Sequence, residues 1–171
     1  MKKILITIFL ISYQLVLSQR NDILDRKNVF TLEVFGHSDS FLAVNYERLF
    51  LSGNEKLIYS FRTGVGRKPG YDFHGEYFKG VTTVPFVFSV LYGKKHFAQL
   101  GLGYSALFSQ NFVYSSSEVY KEFESDFSIS IGYRFMTKDG IVAQAYPVFI
   151  LKDNPVTKSM LSFGVSLGYS F

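Results

Sequence analysis

From Val29 onward, large apolar residues alternate with small or polar ones, which is the period-two pattern of a β-strand with two different faces. Clusters of Gly, Asn, Asp, Lys and Ser divide this pattern into eight segments. Most segments have about the 9–11 residues that a tilted strand needs to cross a bilayer. The eight segments are Val29–His37, Phe41–Leu51, Leu57–Gly66, Val81–Tyr92, His96–Ser109, Phe123–Phe135, Ile141–Leu151 and Met160–Phe171.

The composition of the two faces predicts which one lies inside. In a water-soluble barrel the less apolar face would meet water and carry many Lys, Glu and Asp, but here it carries mainly Gly, Ser and Ala, and most charges lie in the connections. The lumen of an eight-stranded barrel is only just wide enough for side chains, and closure pairs every strand edge. The sequence therefore predicts an all-β fold, a single closed antiparallel up-and-down transmembrane β-barrel of eight strands with its apolar face toward lipid.

The N-terminus has the features of a secretory signal peptide. A positively charged start precedes the apolar run Ile4–Leu17, and Ser18 suits the last position before cleavage. The alternative is a membrane anchor, but the run is shorter than the ~20 residues of a spanning helix. We expect residues 1–18 to be removed on export and residues 19–171 to form one barrel domain.

The lengths of the connections predict the orientation of the barrel. The links after the second, fourth and sixth segments are short, whereas two links after odd segments, Arg67–Gly80 and Gln110–Glu122, are long. Bacterial outer-membrane barrels have short periplasmic turns and longer external loops. An even number of strands then directs both ends of the barrel domain into the periplasm, which predicts a location in the cell outer membrane.

At this point the chain resembles the small eight-stranded outer-membrane barrels of Gram-negative bacteria. The stretch SFGVSLGYSF, residues 162–171, resembles the C-terminal β-signal of that class. The resemblance implies that outer-membrane lipid surrounds the chain and that the barrel assembly machinery reads Phe163, Tyr169 and Phe171. The stretch AVNYERLF, Ala43–Phe50, also resembles the second strand of uncharacterised small barrels common in Bacteroidetes.

The sequence departs from that class in two respects. Pro85 and Pro147 fall inside predicted strands, where each removes a hydrogen-bond donor from the ladder, so that they would mark bulges or strand starts. The chain also has no Trp, and Tyr and Phe alone would have to form the aromatic girdles at the two membrane interfaces.

A set of polar and charged residues points into the predicted lumen. A four-residue turn SGNE would bring Asn45 opposite Arg62, with Glu47 one diagonal step away. Charges in so narrow an interior have to be paired, so we expect an ionic plug. A gated ion or proton path and a catalytic carboxylate are the alternatives, although a plugged core gives a substrate no access. The residues of this network are Glu33, Asn45, Glu47, Arg62, Gln99, Arg134 and Gln144.

The two long links are rich in aromatic residues. Exposed aromatic side chains are strong contact anchors, so these links are candidates for binding an extracellular ligand. An aromatic cap over the mouth, or strands that extend above the membrane, would account for the same residues. Pro69-Gly70 indicates a turn in the first link. The candidates are Tyr71, Phe73, Tyr77, Phe78, Phe112, Tyr114 and Tyr120.

Little in the sequence indicates catalysis or a cofactor. The stretch HSDS, His37–Ser40, indicates a polar hairpin turn at the outer face, because Ser and Asp favour turns, and His74 would also lie at that face. A nucleophile–base–acid set needs a particular geometry in space, which adjacency in sequence does not give. Absence of Cys and of paired His leaves no metal or cofactor motif. Net charge falls from +4 to +2 without the two signal-peptide lysines, and with export this argues against nucleic acid as a partner.

We therefore expect a non-enzymatic outer-membrane barrel with a plugged polar lumen and a structural or surface-recognition role. An enzyme that modifies outer-leaflet lipid, a small passive channel, and a periplasmic barrel that binds an apolar ligand remain as alternatives.

Overall fold

The computed structural model describes residues 26–54, 56–73, 76–113, 118–152 and 160–171. The predicted signal peptide, His74 and Tyr114 lie outside these ranges. No helix within them is long and apolar enough to cross a membrane. The strands are β1 (Asn28–Phe35), β2 (Ser40–Leu51), β3 (Leu57–Phe73), β4 (Glu76–Gly93), β5 (His96–Val113), β6 (Glu118–Met136), β7 (Ile141–Lys152) and β8 (Met160–Ser170).

The eight strands follow one another around a closed antiparallel barrel. Strand β8 pairs with β1 from Val29 opposite Ser170 to Phe35 opposite Gly164. Beyond β8, the amide of Phe171 donates to the carbonyl of Asn28 at 2.8 Å, and the amide of Asn28 donates back at 3.1 Å. These bonds pair the last edge of the sheet, and the predicted closed eight-stranded fold is confirmed.

The large apolar residues lie on the outside of the barrel. Leu102 is 55% exposed and Leu167 is 64% exposed, whereas their strand neighbours Gly103 and Ser166 are buried. This facing follows from volume, because eight strands enclose too little space for a full set of Phe and Leu side chains. The observed facing contradicts the alternative in which the same Phe, Leu and Val set surrounds an apolar ligand.

Four strands are longer than the sequence pattern predicts. β3, β4, β5 and β6 have 17, 18, 18 and 19 residues, whereas β1, β2, β7 and β8 have between 8 and 12. The predicted loops Arg67–Gly80 and Gln110–Glu122 are therefore wrong in large part, since most of their residues belong to strands. Pro69-Gly70 is not a turn, because Pro69 lies opposite Gly80 and the pairing continues to Phe73 opposite Glu76. Arg67 lies opposite Thr82, and Ser109 lies opposite Glu122. We call the strand residues between these pairs and the connections the extensions; they are residues 68–73, 76–81, 110–113 and 118–121.

The two prolines within strands neither start a strand nor shift its register. On either side of Pro85, Thr63 lies opposite Phe86 and Gly66 opposite Thr83. These pairs belong to one register, and the same holds on either side of Pro147 in its pairing with β6. The prediction of bulges or strand starts at these positions is therefore wrong, and each missing amide leaves only a local gap in the ladder.

Candidate functional site

A layer of apolar side chains fills the lumen at the end where the short turns lie, which we call the turn end. Each of seven strands contributes one buried residue to it, and β8 contributes the buried Ser170. The expectation that the inward face carries mainly Gly, Ser and Ala, with isolated charges, is thus wrong at this level. We call the layer the septum; its residues are Val29, Leu49, Ile58, Leu91, Phe97, Met136 and Val142.

The septum could have been found in the sequence. Each of its residues lies on the inward parity of its strand, at a similar distance from the turn end, where a purely polar lumen would have a serine or a glycine. Seven apolar side chains at one level offer an ion no polar partner, so its desolvation in that cross-section would be costly.

The first ion pair lies deeper in the lumen, between β1 and β3. Arg62 Nη1 lies 2.7 Å from Glu33 Oε2, and both side chains are almost completely buried. Tyr146 of β7 joins the pair, because its hydroxyl accepts from Arg62 Nη2 at 2.9 Å and donates to Glu33 Oε2. The ring of Tyr146 also lies under the guanidinium, 5.4 Å from Arg62 Cζ. Tyr146 was not among the predicted residues, although its position on the inward parity of β7 was a signal for it.

The second ion pair joins β2 and β6 across the lumen. Arg134 Nη2 donates to both carboxylate oxygens of Glu47, at 2.8 and 2.9 Å. Gln144 Oε1 accepts from the same nitrogen at 3.0 Å, and Gln99 Oε1 accepts from Arg134 Nε at 3.2 Å. Four of the seven predicted lumen residues thus meet in one cluster, which satisfies the carboxylate in a region that water does not reach.

The predicted alignment of β2 with β3 is wrong by two residues. Glu47 lies directly opposite Arg62, and Asn45 lies opposite Gly64. The register differs because the amide of Ser52 donates to the carbonyl of Leu57, so that these two residues close the turn. A four-residue SGNE loop would instead be closed by Leu51 and Lys56. Asn45 is buried as expected, but neither atom of its amide has a hydrogen-bond partner in the described part of the protein.

The connection from β1 to β2 folds into the barrel. Gly36–Ser38 forms a short 3-10 turn, which we call the inner turn, and all three residues are buried. His37, expected at the outer face, is only 2% exposed. Its Nδ1 lies 2.7 Å from Ser128 Oγ and its Nε2 lies 2.9 Å from Ser130 Oγ.

Two glycines of β5 leave room for this histidine and for one of the serines that contact it. A Cβ at Gly103 would lie 2.6 Å from His37 Nδ1, and a Cβ at Gly101 would lie 2.5 Å from Ser130 Oγ. Ser105 Oγ also donates to the carbonyl of His37 at 2.8 Å. The inner turn therefore fills a space that β5 leaves open, which explains why it folds inward instead of projecting outward.

The geometry around His37 differs from that of a hydrolase. In a nucleophile–base–acid set one ring nitrogen faces the hydroxyl and the other faces a carboxylate, but here both nitrogens face serines. The ring is also enclosed, whereas a substrate needs access. Among the residues that the structure describes, no group of three or more His, Cys, Asp or Glu could hold a metal ion.

The predicted surface anchors lie on the extensions. Cross-strand register places Tyr71 opposite Phe78, Phe78 opposite Asn111, and Asn111 opposite Tyr120, in one row across four strands. Tyr77 lies opposite Phe112 in the next row, and Phe73 follows at the end of β3. Their side chains lie outside the described part of the structure, as does the whole of Tyr114.

The predicted assembly residues point outward on the last strand and directly after it. Phe163, Tyr169 and Phe171 are all at least 50% exposed. These three side chains therefore take no part in the two ion pairs or the septum inside the barrel.

Solved structures of bacterial outer-membrane barrels share this architecture. No family model and no curated protein matches the chain. The fold is that of the small outer-membrane barrels.

Ail, the attachment invasion locus protein of Yersinia pestis, aligns with 85% of this chain and 94% of its own, at 9% identity and a TM-score of 0.55. A second Ail structure, in complex with the heparin analogue sucrose octasulfate, gives a TM-score of 0.57 at 10% identity, with the same coverage. The N-terminal β-barrel domain of Pseudomonas aeruginosa OprF aligns with 85% of this chain and 96% of its own, at 11% identity and a TM-score of 0.50. Identities this low show a common fold alone.

Proposed function

We propose that this chain is a non-conducting outer-membrane barrel that displays a four-stranded sheet at the cell surface for recognition. The observation that carries the proposal is the length of β3 to β6, 17 to 19 residues, where about 9–11 suffice to cross a bilayer. The extensions contain four to six residues of each strand, which correspond to roughly 13–20 Å of further sheet. A sheet of this kind gives a closed barrel a surface for recognition without opening a conduction path through the lumen.

The outer surface of the barrel supports a membrane location. Large apolar side chains cover it, among them Phe61, Phe88, Leu100, Leu102 and Ile131, which are 43 to 66% exposed. An apolar belt of this extent far exceeds the patches that water-soluble monomers leave exposed. Toward the turn end it includes Tyr46, Tyr92, Tyr133 and Tyr169, which fits an interfacial girdle made without Trp.

The contents of the lumen favour a closed barrel over a passive channel. The inner turn, two buried ion pairs and the septum follow one another along the lumen. An ion would have to separate paired charges and then cross an apolar layer, and each step is costly.

The arrangement also disfavours the enzyme alternative for His37. The residue lies inside the wall, so that an outer-leaflet lipid on the apolar surface does not reach it. Alanine at His37 and His74 together is expected to leave the surface lipid profile unchanged, and loss of a lipid modification would instead support an enzyme.

The neighbour named for attachment and invasion is consistent with surface recognition, but its sulfated ligand does not transfer. The extensions of this chain carry acids such as Asp72, Glu76 and Glu118 beside bases such as Lys79 and Lys121. A mixed charge pattern of this kind is a poor receptor for a polyanion. We therefore propose recognition through aromatic anchors. Likewise, the assembly-machinery partner and the resemblance to Bacteroidetes barrels remain predictions.

Shortening the extensions tests the proposal. Replacing residues 68–81 by Asn-Gly joins Arg67 to Thr82, which already lie opposite each other. Replacing residues 110–121 in the same way joins Ser109 to Glu122, and Asn-Gly favours a two-residue hairpin turn. The barrel below should fold and insert as before.

Cells that carry the full or the shortened barrel would be compared for retention on a panel of immobilised host proteins and glycans. We expect retention with the full barrel, loss with the shortened one, and loss when the aromatic residues alone are changed to serine. Equal retention by full and shortened barrels would refute recognition by the extensions. A large steady conductance of the full barrel in planar bilayers would refute the closed lumen.

A further inference from the structure

We propose that a ring of cations at the turn end of the barrel binds the phosphate headgroups of anionic phospholipids in the inner leaflet of the outer membrane. The proposal rests on the membrane location proposed above. In the described part of this end there are seven basic residues and one acid, Asp139. We call the basic residues the collar; they are Arg26, Lys27, Arg48, Lys56, Lys94, Lys95 and Lys138.

The collar surrounds the barrel instead of clustering on one strand. Arg26 and Lys27 precede β1, Arg48 lies on the outward face of β2, and the other four lie in the three turns that join β2 to β3, β4 to β5 and β6 to β7. All but Arg26 are exposed, and Arg26 is half-buried. Lipid headgroups that surround the barrel would therefore meet a cation on most sides.

Contacts with aromatic rings place the collar at the level of the headgroups. The guanidinium of Arg26 lies 5.5 Å from the ring centroid of Tyr169 and donates to its hydroxyl at 3.0 Å. Lys95 Nζ lies 5.3 Å from the ring centroid of Phe135. Aromatic girdles of membrane barrels mark the interface between acyl chains and headgroups, so cations held against these rings lie beside phosphates and not out in bulk water.

Among the residues that the structure describes, the opposite end of the barrel has no comparable excess of cations. There Lys68 forms an ion pair with Asp39 at 3.2 Å, and Glu122 and Glu124 are exposed on β6. The charge asymmetry therefore selects one leaflet. Short turns of bacterial barrels face the periplasm, which assigns the collar to the inner leaflet and its ligand to a phospholipid. Near an anionic membrane each Lys or Arg strengthens binding by about fivefold.

Native mass spectrometry of the refolded barrel with an equal mixture of phosphatidylglycerol and phosphatidylethanolamine tests the proposal. The collar variant carries Lys27→Gln, Lys56→Gln, Lys95→Gln and Lys138→Gln, and so keeps both arginines with their hydrogen bonds. The matched control removes four lysines at the extended end, through Lys68→Gln, Lys79→Gln, Lys121→Gln and Lys152→Gln. Mobility on a denaturing gel without heating, together with flotation on liposomes, shows whether each variant is folded and inserted.

We expect the unmodified barrel and the control to bind phosphatidylglycerol at least fivefold better than phosphatidylethanolamine, and the collar variant to lose most of this preference. Equal binding of the two lipids, or equal losses in both variants, would overturn the proposal. Stronger binding of lipid A, lost only in the collar variant, would overturn the inner-leaflet assignment. Failure of the unmodified barrel to float with liposomes would instead refute the membrane location itself, so the two failures are distinguishable.

Discussion

Changing Arg62 to Met tests whether the first ion pair supports the barrel wall. The substitution leaves Glu33 as a buried carboxylate with a single donor, the hydroxyl of Tyr146. Its other oxygen, Oε1, has no hydrogen-bond partner in the described part of the protein. An unpaired charge buried to this degree costs ~3–5 kcal/mol of unfolding free energy. Changing Glu33 to Leu should cost a similar amount, because it leaves Arg62 buried without its carboxylate.

The double variant should cost much less than the sum of the two single changes. With Arg62 and Glu33 both apolar, no charge remains unpaired, and buried pairs replaced by apolar residues of similar volume are often neutral in stability. We expect a coupling free energy of about 3 kcal/mol or more. Arg62 and Glu47 provide the matched control, because they lie opposite each other in register but Glu47 is bound by Arg134. Their coupling should be clearly smaller than that of Arg62 with Glu33, because Glu47 takes its hydrogen bonds from Arg134.

Urea-dependent unfolding from liposomes measures these energies. The chain has no Trp, so far-UV circular dichroism and gel mobility report the folded fraction, and linear extrapolation gives the unfolding free energy. Additive losses for Arg62 and Glu33 would refute the observed pairing. A larger coupling for Arg62 with Glu47 would show that the side chains follow strand register and not the contacts across the lumen.

Three further predictions concern the wall, the inner turn and the last strand. Leu102→Arg should cost ~2–4 kcal/mol at the bilayer midplane in the same urea assay while Leu102→Phe stays near wild type, and unchanged stability of the Arg variant would refute the outward facing. Gly103→Val should destabilise the barrel by collision with Ser128 Oγ and the ring of His37 and should be partly rescued by His37→Ala; absence of rescue would show that the ring is not the obstacle. Deleting Phe171 should slow assembly in cells and also remove two backbone bonds to Asn28, whereas Phe171→Ala removes the ring alone; wild-type assembly rates for both variants would refute the β-signal.

The facing of the strands could be predicted from the sequence because it depends on local spacing. Every second residue of a strand points the same way, and a narrow lumen admits few large side chains. Glu33, Glu47, Arg62 and Arg134 could therefore be assigned to the interior from parity alone. Their partners could not, because Arg134 reaches Glu47 from a strand on the other side of the lumen. Such a contact depends on the tilt and closure of the whole barrel and not on any one hairpin.

The strand ends were harder to predict than the strand centres. Residues 67–73 contain Pro, Gly and several charges, and residues 118–122 contain three charges. Such residues are typical of loops, yet both stretches belong to paired strands. Above the membrane neither face needs to be apolar, so the alternation that marks a spanning strand weakens while the backbone pairing continues. A pattern of apolar residues therefore indicates where lipid begins and ends, and not where hydrogen bonding stops.

The inner turn shows why two accurate local observations did not combine into one site. The polar turn at His37 and the glycine-rich inward face of β5 were both visible in the sequence, some 65 positions apart. The glycines were attributed to the narrow lumen in general, although Gly103 leaves room for one particular imidazole and Gly101 for the hydroxyl of Ser130 that contacts it. Because the ring occupies that room, Ser128 and Ser130 find partners that a lumen without the inner turn would not supply. The missing step was to ask which other segment fills the space that each glycine leaves.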